Sequence, residues 1–255
     1  MNQTLVIANW KMNLTIKESG ELAEGILKQK TSWSAEKSAV VLCPSFESLA
    51  AVQEKLKGQA TVALGAQDCF WEETGAFTGE VSARVLRELG CAYVILGHSE
   101  RRQNLGETDA QVNLKVRAAL RECLVPIVCV GETFNERQEG QKDFVVMEQV
   151  KKALDGVKLL ENDRLIIAYE PVWVIGSGQA VDPAEAEHTS RVIRQVILDN
   201  DETEDIKERV KIIYGGSVNP ANVKSFISQP TISGILVGGA SLEADKFVEL
   251  IKECC

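Results

Sequence analysis

The chain has 255 residues, a length that a single α/β barrel can fill. Hydrophobic residues make up 45% of the sequence and charged residues 25%, so a disordered or low-complexity chain is excluded. The formal net charge of -9 argues against binding to nucleic acid or to an anionic membrane surface.

Eight short apolar runs, most of them rich in β-branched residues, recur along the chain. They span Leu5–Ala8, Ala39–Leu42, Thr61–Leu64, Ala92–Leu96, Val125–Val130, Leu165–Ala168, Lys211–Tyr214 and Gly234–Val237. Continuous apolar runs are typical of parallel strands that are buried on both faces. Between them lie stretches with apolar residues at helical spacing, for example from Val112 to Leu120 and from Phe247 to Ile251.

This alternation of strands and helices predicts an α/β fold. Eight units in 255 residues give about 32 residues each, close to the ~30 of one βα repeat. We therefore expect one domain, residues 1–255, folded as a closed (β/α)8 TIM barrel of eight parallel strands, each followed by a helix. A doubly wound open sheet is the alternative. Its G-x-G-x-x-G fingerprint should follow an early strand, whereas Asn9-Trp10-Lys11 follows the first one here.

The connection from Gln67 to Ser82 is longer than an ordinary βα loop and is rich in aromatic residues, with Phe70, Trp71 and Phe77. Such rings, exposed together, would form an apolar patch that monomers rarely tolerate. We therefore predict a homodimer through loop 67–82. The alternative is that the rings fold back onto their own barrel.

Later connections carry helix-start signals. Asp182-Pro183 and Asn219-Pro220 each read as an N-cap followed by a proline at the first helical position. The acidic stretch Asp199–Glu208 is predicted to be a solvated connection between a helix and the seventh strand.

We expect a cytoplasmic protein without a membrane or nucleic-acid partner. No apolar run approaches the roughly 18 residues of a membrane span. The start, Met1-Asn2-Gln3-Thr4, lacks the basic region of a signal peptide. The seven cysteines show no metal-ligand spacing and are interpreted as reduced thiols that mostly fill the core.

Polar residues and glycines follow five of the predicted strands. They are Asn9 and Lys11, His98 and Glu100, Glu170, Gly215-Gly216-Ser217, and Gly238-Gly239. Taken singly, each has an ordinary explanation as a surface lysine, a partly buried histidine, an ion-paired carboxylate or a tight turn. In a barrel, however, these positions converge on one face, where active sites lie.

The chemistry of this set is that of a base with an electrophile. Glu170 ends an apolar strand before Pro171, a dehydrated setting that suits a general base. Glycine pairs let backbone N–H groups approach an anion such as a phosphate. Hydrolase-elbow, P-loop and metal-ligand patterns do not occur in the sequence. The set therefore indicates proton abstraction next to a carbonyl, through an enediolate, without metal or cofactor.

Six segments, in order from residue 9 to about 242, closely resemble the triosephosphate isomerase family. They are Asn9-Trp10-Lys11-Met12-Asn13, Gly75-Ala76-Phe77-Thr78-Gly79-Glu80, Leu96-Gly97-His98-Ser99-Glu100-Arg101-Arg102, Ala168-Tyr169-Glu170-Pro171-Val172-Trp173, Tyr214-Gly215-Gly216-Ser217 and Leu236-Val237-Gly238-Gly239. The resemblance implies an isomerase of glycolysis and gluconeogenesis that interconverts dihydroxyacetone phosphate and D-glyceraldehyde 3-phosphate.

The resemblance also implies residue roles. Glu170 would shuttle the proton, His98 would be the electrophile, and Lys11 the cation that holds the substrate and its oxyanion. Asn9 would assist polarisation and Glu100 would bridge to Lys11. Further, the phosphate would be bound by Gly176, Ser217, Gly238 and Gly239. Residues 171–180 would form a closing lid, and Thr78 would reach the neighbouring subunit's site.

Four residues depart from the family's usual pattern: Val174, Ser177 and Gln179 in the lid, and Asp68 in the third loop. Two alternatives to this function are a non-catalytic phosphate-binding barrel and another phosphosugar isomerase on the same scaffold.

Overall fold

The computed structural model describes residues 3–200 and 206–255. Eight parallel strands form its centre. They are β1 (Thr4–Asn9), β2 (Ser38–Cys43), β3 (Val62–Ala66), β4 (Cys91–Leu96), β5 (Val125–Val130), β6 (Leu165–Tyr169), β7 (Val210–Tyr214) and β8 (Gly234–Val237). All eight coincide with the predicted runs. The largest difference is at β3, which ends at Ala66 rather than Leu64.

The strands close into a barrel in sequence order, and β1 pairs with β8 in parallel. Leu5 lies opposite Gly234 at this closure. A Cβ on Gly234 would overlap the carbonyl oxygen of Leu5, so a glycine is required for the two strands to meet. The closed barrel is confirmed, and the open doubly wound sheet is wrong.

At least one helix follows every strand. The helices are α1 (Ile16–Lys28), α2 (Leu49–Leu56), α3 (Ala83–Glu88), α4 (Ser99–Leu105), α5 (Asp109–Arg121), α6 (Phe134–Gln138), α7 (Lys142–Leu154), α8 (Pro183–Asn200), α9 (Ile206–Arg209), α10 (Val223–Ile227) and α11 (Ala244–Glu253). Apolar side chains fill both the barrel interior, for example Ile7 and Ile95, and the layer between barrel and helices, for example Val6 and Phe247.

One of the two predicted helix starts is confirmed. Helix α8 begins at Pro183, and the Asp182 carboxylate accepts a hydrogen bond from the Ala184 N–H at 2.8 Å. The start at Asn219-Pro220 is wrong, because α10 begins only at Val223. There the Asn219 side chain accepts from Ala221 N–H at 2.9 Å, so it caps a turn that precedes the helix.

The acidic stretch Asp199–Glu208 is described in part, since residues 201–205 lie outside the described residues. Asp199 and Glu208 are exposed as predicted, whereas Ile206 is buried.

Five of the cysteines are buried, and all seven are unpaired. In the described part of the chain, no helix combines the length and apolar character needed to cross a membrane.

Candidate active site

The predicted site residues meet at the carboxyl ends of the strands, around a cavity of about 330 Å³. The cavity is lined by Asn9, Lys11, His98, Glu170, Ile175, Gly176, Gly178, Gly215, Gly216, Ser217, Val218, Asn219, Leu236, Gly238, Gly239, Ala240 and Lys246. The structure thus brings together every predicted site residue except Glu100. Glu100 is outside the lining but contacts it through Lys11.

Lys11 is held in place by several contacts. Its backbone is in the left-handed region at φ 52°, which is unusual for a residue with a side chain. The Asn9 side-chain oxygen accepts a hydrogen bond from the Lys11 N–H at 3.0 Å, and Gln67 donates to its carbonyl at 2.9 Å. The Lys11 ammonium donates to Glu100 at 2.5 Å. Asn9 therefore positions Lys11 as well as lining the cavity.

His98 lies at the start of helix α4, where it is the N-cap residue. Its Nδ1 accepts a hydrogen bond from the Glu100 N–H at 3.2 Å. Because Nδ1 accepts, the proton of the neutral ring lies on Nε2. Nε2 faces the cavity 3.2 Å from Glu170 Oε1, and the whole side chain is buried. The imidazole is thus oriented as a hydrogen-bond donor.

Glu170 follows β6 and is 2% exposed. Its Oε2 accepts a hydrogen bond from the Ser99 N–H at 3.2 Å, which satisfies part of a buried charge. Two glycines make room for it. A Cβ on Gly215 would lie 2.8 Å from Glu170 Cγ, and a Cβ on Gly131 would overlap the Glu170 carbonyl oxygen. The site therefore holds one buried carboxylate beside the Nε2–H donor of His98.

Glycine backbone lines another part of the cavity. Gly238 lies against Lys11, and a Cβ there would be 3.3 Å from Lys11 Cε. Gly239 faces open space and begins a short 3₁₀ turn over Gly239–Ser241. Ser217 and Gly176 line the same cavity. A phosphate group could therefore approach backbone N–H groups closely here.

The segment from Pro171 to Ala180 contributes Ile175, Gly176 and Gly178 to the lining of this cavity. Residues 176–180 are exposed, and Gly176 and Gly178 have φ of 72° and 75°, a conformation that suits glycine. The Ser177 hydroxyl donates to the Val174 carbonyl at 2.9 Å. The exposed tip and the two glycines are consistent with the predicted lid.

The base of this segment is attached to Glu132, a fully buried carboxylate that follows β5. Trp173 Nε1 donates to Glu132 at 2.9 Å, and the Tyr169 hydroxyl donates to it at 3.2 Å. The Arg137 guanidinium lies 4.6 Å from the centre of the Trp173 ring. Burial raises the pKa of Glu132, and the hydrogen bonds from Trp173 and Tyr169 offset part of this rise.

Another buried charged cluster lies beneath loop 67–82. Asp68 contacts the Lys115 ammonium at 2.8 Å and the Arg101 guanidinium at 2.9 Å. Glu107 pairs with the same two cations and accepts from the Gly97 N–H at 3.1 Å. Burial, opposed mainly by Lys115, raises the pKa of Asp68 to about 6. The cluster thus joins the loop to the backbone just before His98.

The aromatic rings of loop 67–82 pack against one another. Phe70 is buried, and its ring centre lies 4.0 Å from that of Trp71 and 4.7 Å from that of Phe77. Phe77 remains 44% exposed, and residues 72–80 are all exposed. The Phe70 N–H donates to the Val81 carbonyl at 2.8 Å and closes the base of the loop. The rings are therefore partly covered within their own subunit.

Sequence reasoning missed four residues near the site: Gln67, Gly131, Glu132 and Lys246. Gly131 and Glu132 directly follow β5, so the rule that selected the other strand ends could have found them. Gln67 follows β3 in the same way. Lys246 lies inside α11, where no pattern marks it. In the described part of the chain, no cluster of His, Cys, Asp and Glu could hold a metal ion.

Comparisons with known proteins agree with this geometry. The family model described as triosephosphate isomerase matches residues 4–254. A protein of Dictyoglomus turgidum named triosephosphate isomerase is 42% identical over 254 residues, covering 99% of this chain and 100% of the relative. One of Roseiflexus castenholzii with the same name is 46% identical and covers 98% and 97% of the two chains. One of Moorella thermoacetica is 44% identical and covers 98% of each. The chain belongs to the triosephosphate isomerase family.

Proposed function

We propose that this protein interconverts dihydroxyacetone phosphate and D-glyceraldehyde 3-phosphate, as an isomerase of glycolysis and gluconeogenesis. One observation carries the proposal: Glu170, His98 and Lys11, from three separate strand ends, line one cavity together. His98 Nε2 and Glu170 Oε1 are 3.2 Å apart, so a base and a donor can act on neighbouring atoms of one small substrate. The family membership supports the same reaction.

In this reaction, Glu170 takes a proton from the carbon next to the substrate carbonyl. The electron pair left on that carbon moves into the carbonyl, which gives an enediolate. The His98 Nε2–H and the Lys11 ammonium stabilise the negative oxygen. The proton of the neighbouring hydroxyl passes to the negative oxygen through His98, whose Nε2 gives up its own proton to one oxygen and takes up the other. Glu170 then returns its proton to the neighbouring carbon, the second oxygen becomes the new carbonyl, and no atom is gained or lost. Asn9 keeps Lys11 in its left-handed conformation, and Glu100 orients the ammonium.

The substrate's phosphate is assigned to the glycine-lined part of the cavity. Gly176, Ser217, Gly238 and Gly239 take the phosphate there, mainly through backbone N–H groups. The lid, residues 171–180, then closes over the substrate and excludes water, which would otherwise allow the enediolate to lose its phosphate. No metal or cofactor is required by these steps.

The test is turnover of the purified protein. We expect conversion of D-glyceraldehyde 3-phosphate in an assay coupled to reduction of dihydroxyacetone phosphate, and the reverse reaction from dihydroxyacetone phosphate. A protein that binds phosphate but turns over neither triose would be the non-catalytic barrel. Turnover of a longer phosphosugar alone would indicate the other isomerase. No feature of the cavity favours either of these.

A homodimer through loop 67–82 is part of the proposal. The loop projects, since residues 72–80 are exposed, and Phe77 presents 44% of its surface. Met12, directly after Lys11, is 90% exposed and offers an apolar contact beside the site. In the dimer, Thr78 would reach the Lys11 and His98 region of the neighbouring subunit. We also propose a single domain over residues 1–255 and a location in the cytoplasm.

A further inference from the structure

We propose that Lys246 is a further substrate-binding residue, a cation that attracts and contacts the substrate's phosphate. This inference rests on the proposed function. Lys246 lines the same cavity as Ser217, Gly238 and Gly239. Gly238 and Gly239, which the proposed function assigns to the phosphate, lie on the connection between β8 and the helix that carries Lys246.

The fold explains how a helix residue comes to line this cavity. Strand β8 ends at Val237, and α11 begins at Ala244, so Lys246 lies in the first turn of the helix. Helices of this barrel run back along the strands, so the first turn of α11 is level with the carboxyl end of β8. Phe247 and Val248 are buried against the barrel and fix the helix in this place.

The charges around the cavity favour Lys246, a weakly paired cation, as the phosphate contact. Among the described residues that line the cavity, Lys11, Glu170 and Lys246 are charged. The ammonium of Lys11 pairs with Glu100 at 2.5 Å, and the proposed function assigns it to the negative oxygen of the enediolate. Lys246 has a loose ion pair, with Glu243 at 4.0 Å. Both side chains of that pair are exposed to water, at 45% and 73%, so the pair is weak.

A lysine suits this task because its ammonium is a mobile point charge with three donors on a long stem. The protein as a whole carries a net charge of -9 and repels an anionic substrate at long range. A local cation at the mouth of the cavity offsets that repulsion. The phosphate does not react, so its contact with Lys246 stabilises the bound substrate and the bound transition state equally. Loss of this contact therefore changes KM rather than kcat.

The experiment compares Lys246→Gln with Lys252→Gln. Lys252 lies on the last turn of the same helix and is exposed, so its substitution removes an equal charge outside the cavity. Two quantities are measured at low ionic strength: KM and kcat for D-glyceraldehyde 3-phosphate, and the dissociation constant of inorganic phosphate by calorimetry. For Lys246→Gln we expect both constants to rise roughly three- to tenfold, with kcat within about twofold. Lys246→Arg should restore them, and added salt should reduce the difference.

Unchanged KM and phosphate affinity in Lys246→Gln would overturn the inference, and so would an equal effect of Lys252→Gln. Failure of the proposed function is distinguishable from this. If the wild-type protein turned over no triose phosphate but Lys246→Gln alone lost phosphate affinity, the isomerase proposal would fail. Lys246 would still be supported as a phosphate ligand.

Discussion

Single glycines determine how closely the reacting side chains approach the backbone. Gly215 and Gly131 leave the space that Glu170 occupies, and Gly238 leaves the space for the Lys11 stem. An alanine at Gly215 would push on Glu170 Cγ from 2.8 Å, tighter than van der Waals contact permits. These glycines are therefore part of the site, although they carry no functional group.

Replacing Glu170 tests its assignment as the catalytic base. The variant Glu170→Gln keeps the size of the side chain and an oxygen that accepts from the Ser99 N–H. It cannot take up the proton, so we expect kcat to fall by at least the ~10²–10⁴-fold typical of general-base catalysis. Steady-state kinetics in the coupled assay measure this. The exposed Glu249→Gln on α11 is the matched control, and near-normal kcat in Glu170→Gln would reject the assignment.

The buried cluster of Asp68, Arg101, Glu107 and Lys115 under loop 67–82 makes the stability of the fold depend on pH. The pKa of Asp68 is about 6 in the folded protein against 3.8 for an ordinary aspartate. Between these values the folded state holds a proton that the unfolded state has lost. Protonated Asp68 therefore stabilises the fold at low pH, and this contribution is lost as the pH rises through about 6.

The variant Asp68→Asn lacks this titration. We expect the melting temperature of the wild type, relative to that of Asp68→Asn, to fall between about pH 4 and 7 and then to level off. Calorimetry at several pH values measures the difference, with the exposed Asp245→Asn as the control. If the melting temperature of the wild type instead rises with pH relative to that of Asp68→Asn, the prediction is wrong. The attraction of Lys115 and Arg101 would then outweigh the effect of burial and hold Asp68 ionised.

The lid is a second element whose role can be measured. Its base is anchored by Trp173 and Glu132, whereas residues 176–179 at its tip are exposed. Deleting those four residues should leave the barrel folded and let water reach the enediolate. We expect a lower kcat and the release of methylglyoxal with inorganic phosphate, both measured per turnover. Gln179→Ala keeps the lid length and serves as control. If the shortened protein releases no more inorganic phosphate per turnover than the wild type, the proposed role of the lid is wrong.

The barrel could be predicted from the sequence, whereas the side-chain contacts between separate elements could not. Strands buried on both faces leave continuous apolar runs, which the sequence shows directly. By contrast, Asp68, Arg101, Glu107 and Lys115 come from separate elements and share no local pattern. Asn219 was misassigned because an asparagine caps turns as readily as helices. The catalytic candidates could be found because barrel topology brings strand ends to one face.

The predicted homodimer can be tested by shortening loop 67–82. The base of loop 67–82 is closed by the hydrogen bond from Phe70 to Val81, so the exposed residues 72–80 can be removed without opening the barrel. We expect a chain in which two glycines replace residues 72–80 to be a folded monomer. Its kcat should fall sharply, because Lys11 and His98 would lose the support of the neighbouring loop.

Sedimentation velocity and the coupled assay measure these two outcomes. Phe77→Ser keeps the loop length and removes the half-exposed ring, which should weaken the dimer without abolishing it. The ion pair between Glu73 in the removed segment and Arg84, at 3.0 Å, is exposed and contributes little to folding. A loss of oligomerisation with intact circular dichroism would therefore report on the interface. An intact protein that is monomeric at micromolar concentration, or a shortened monomer with full activity, would overturn the proposed dimer.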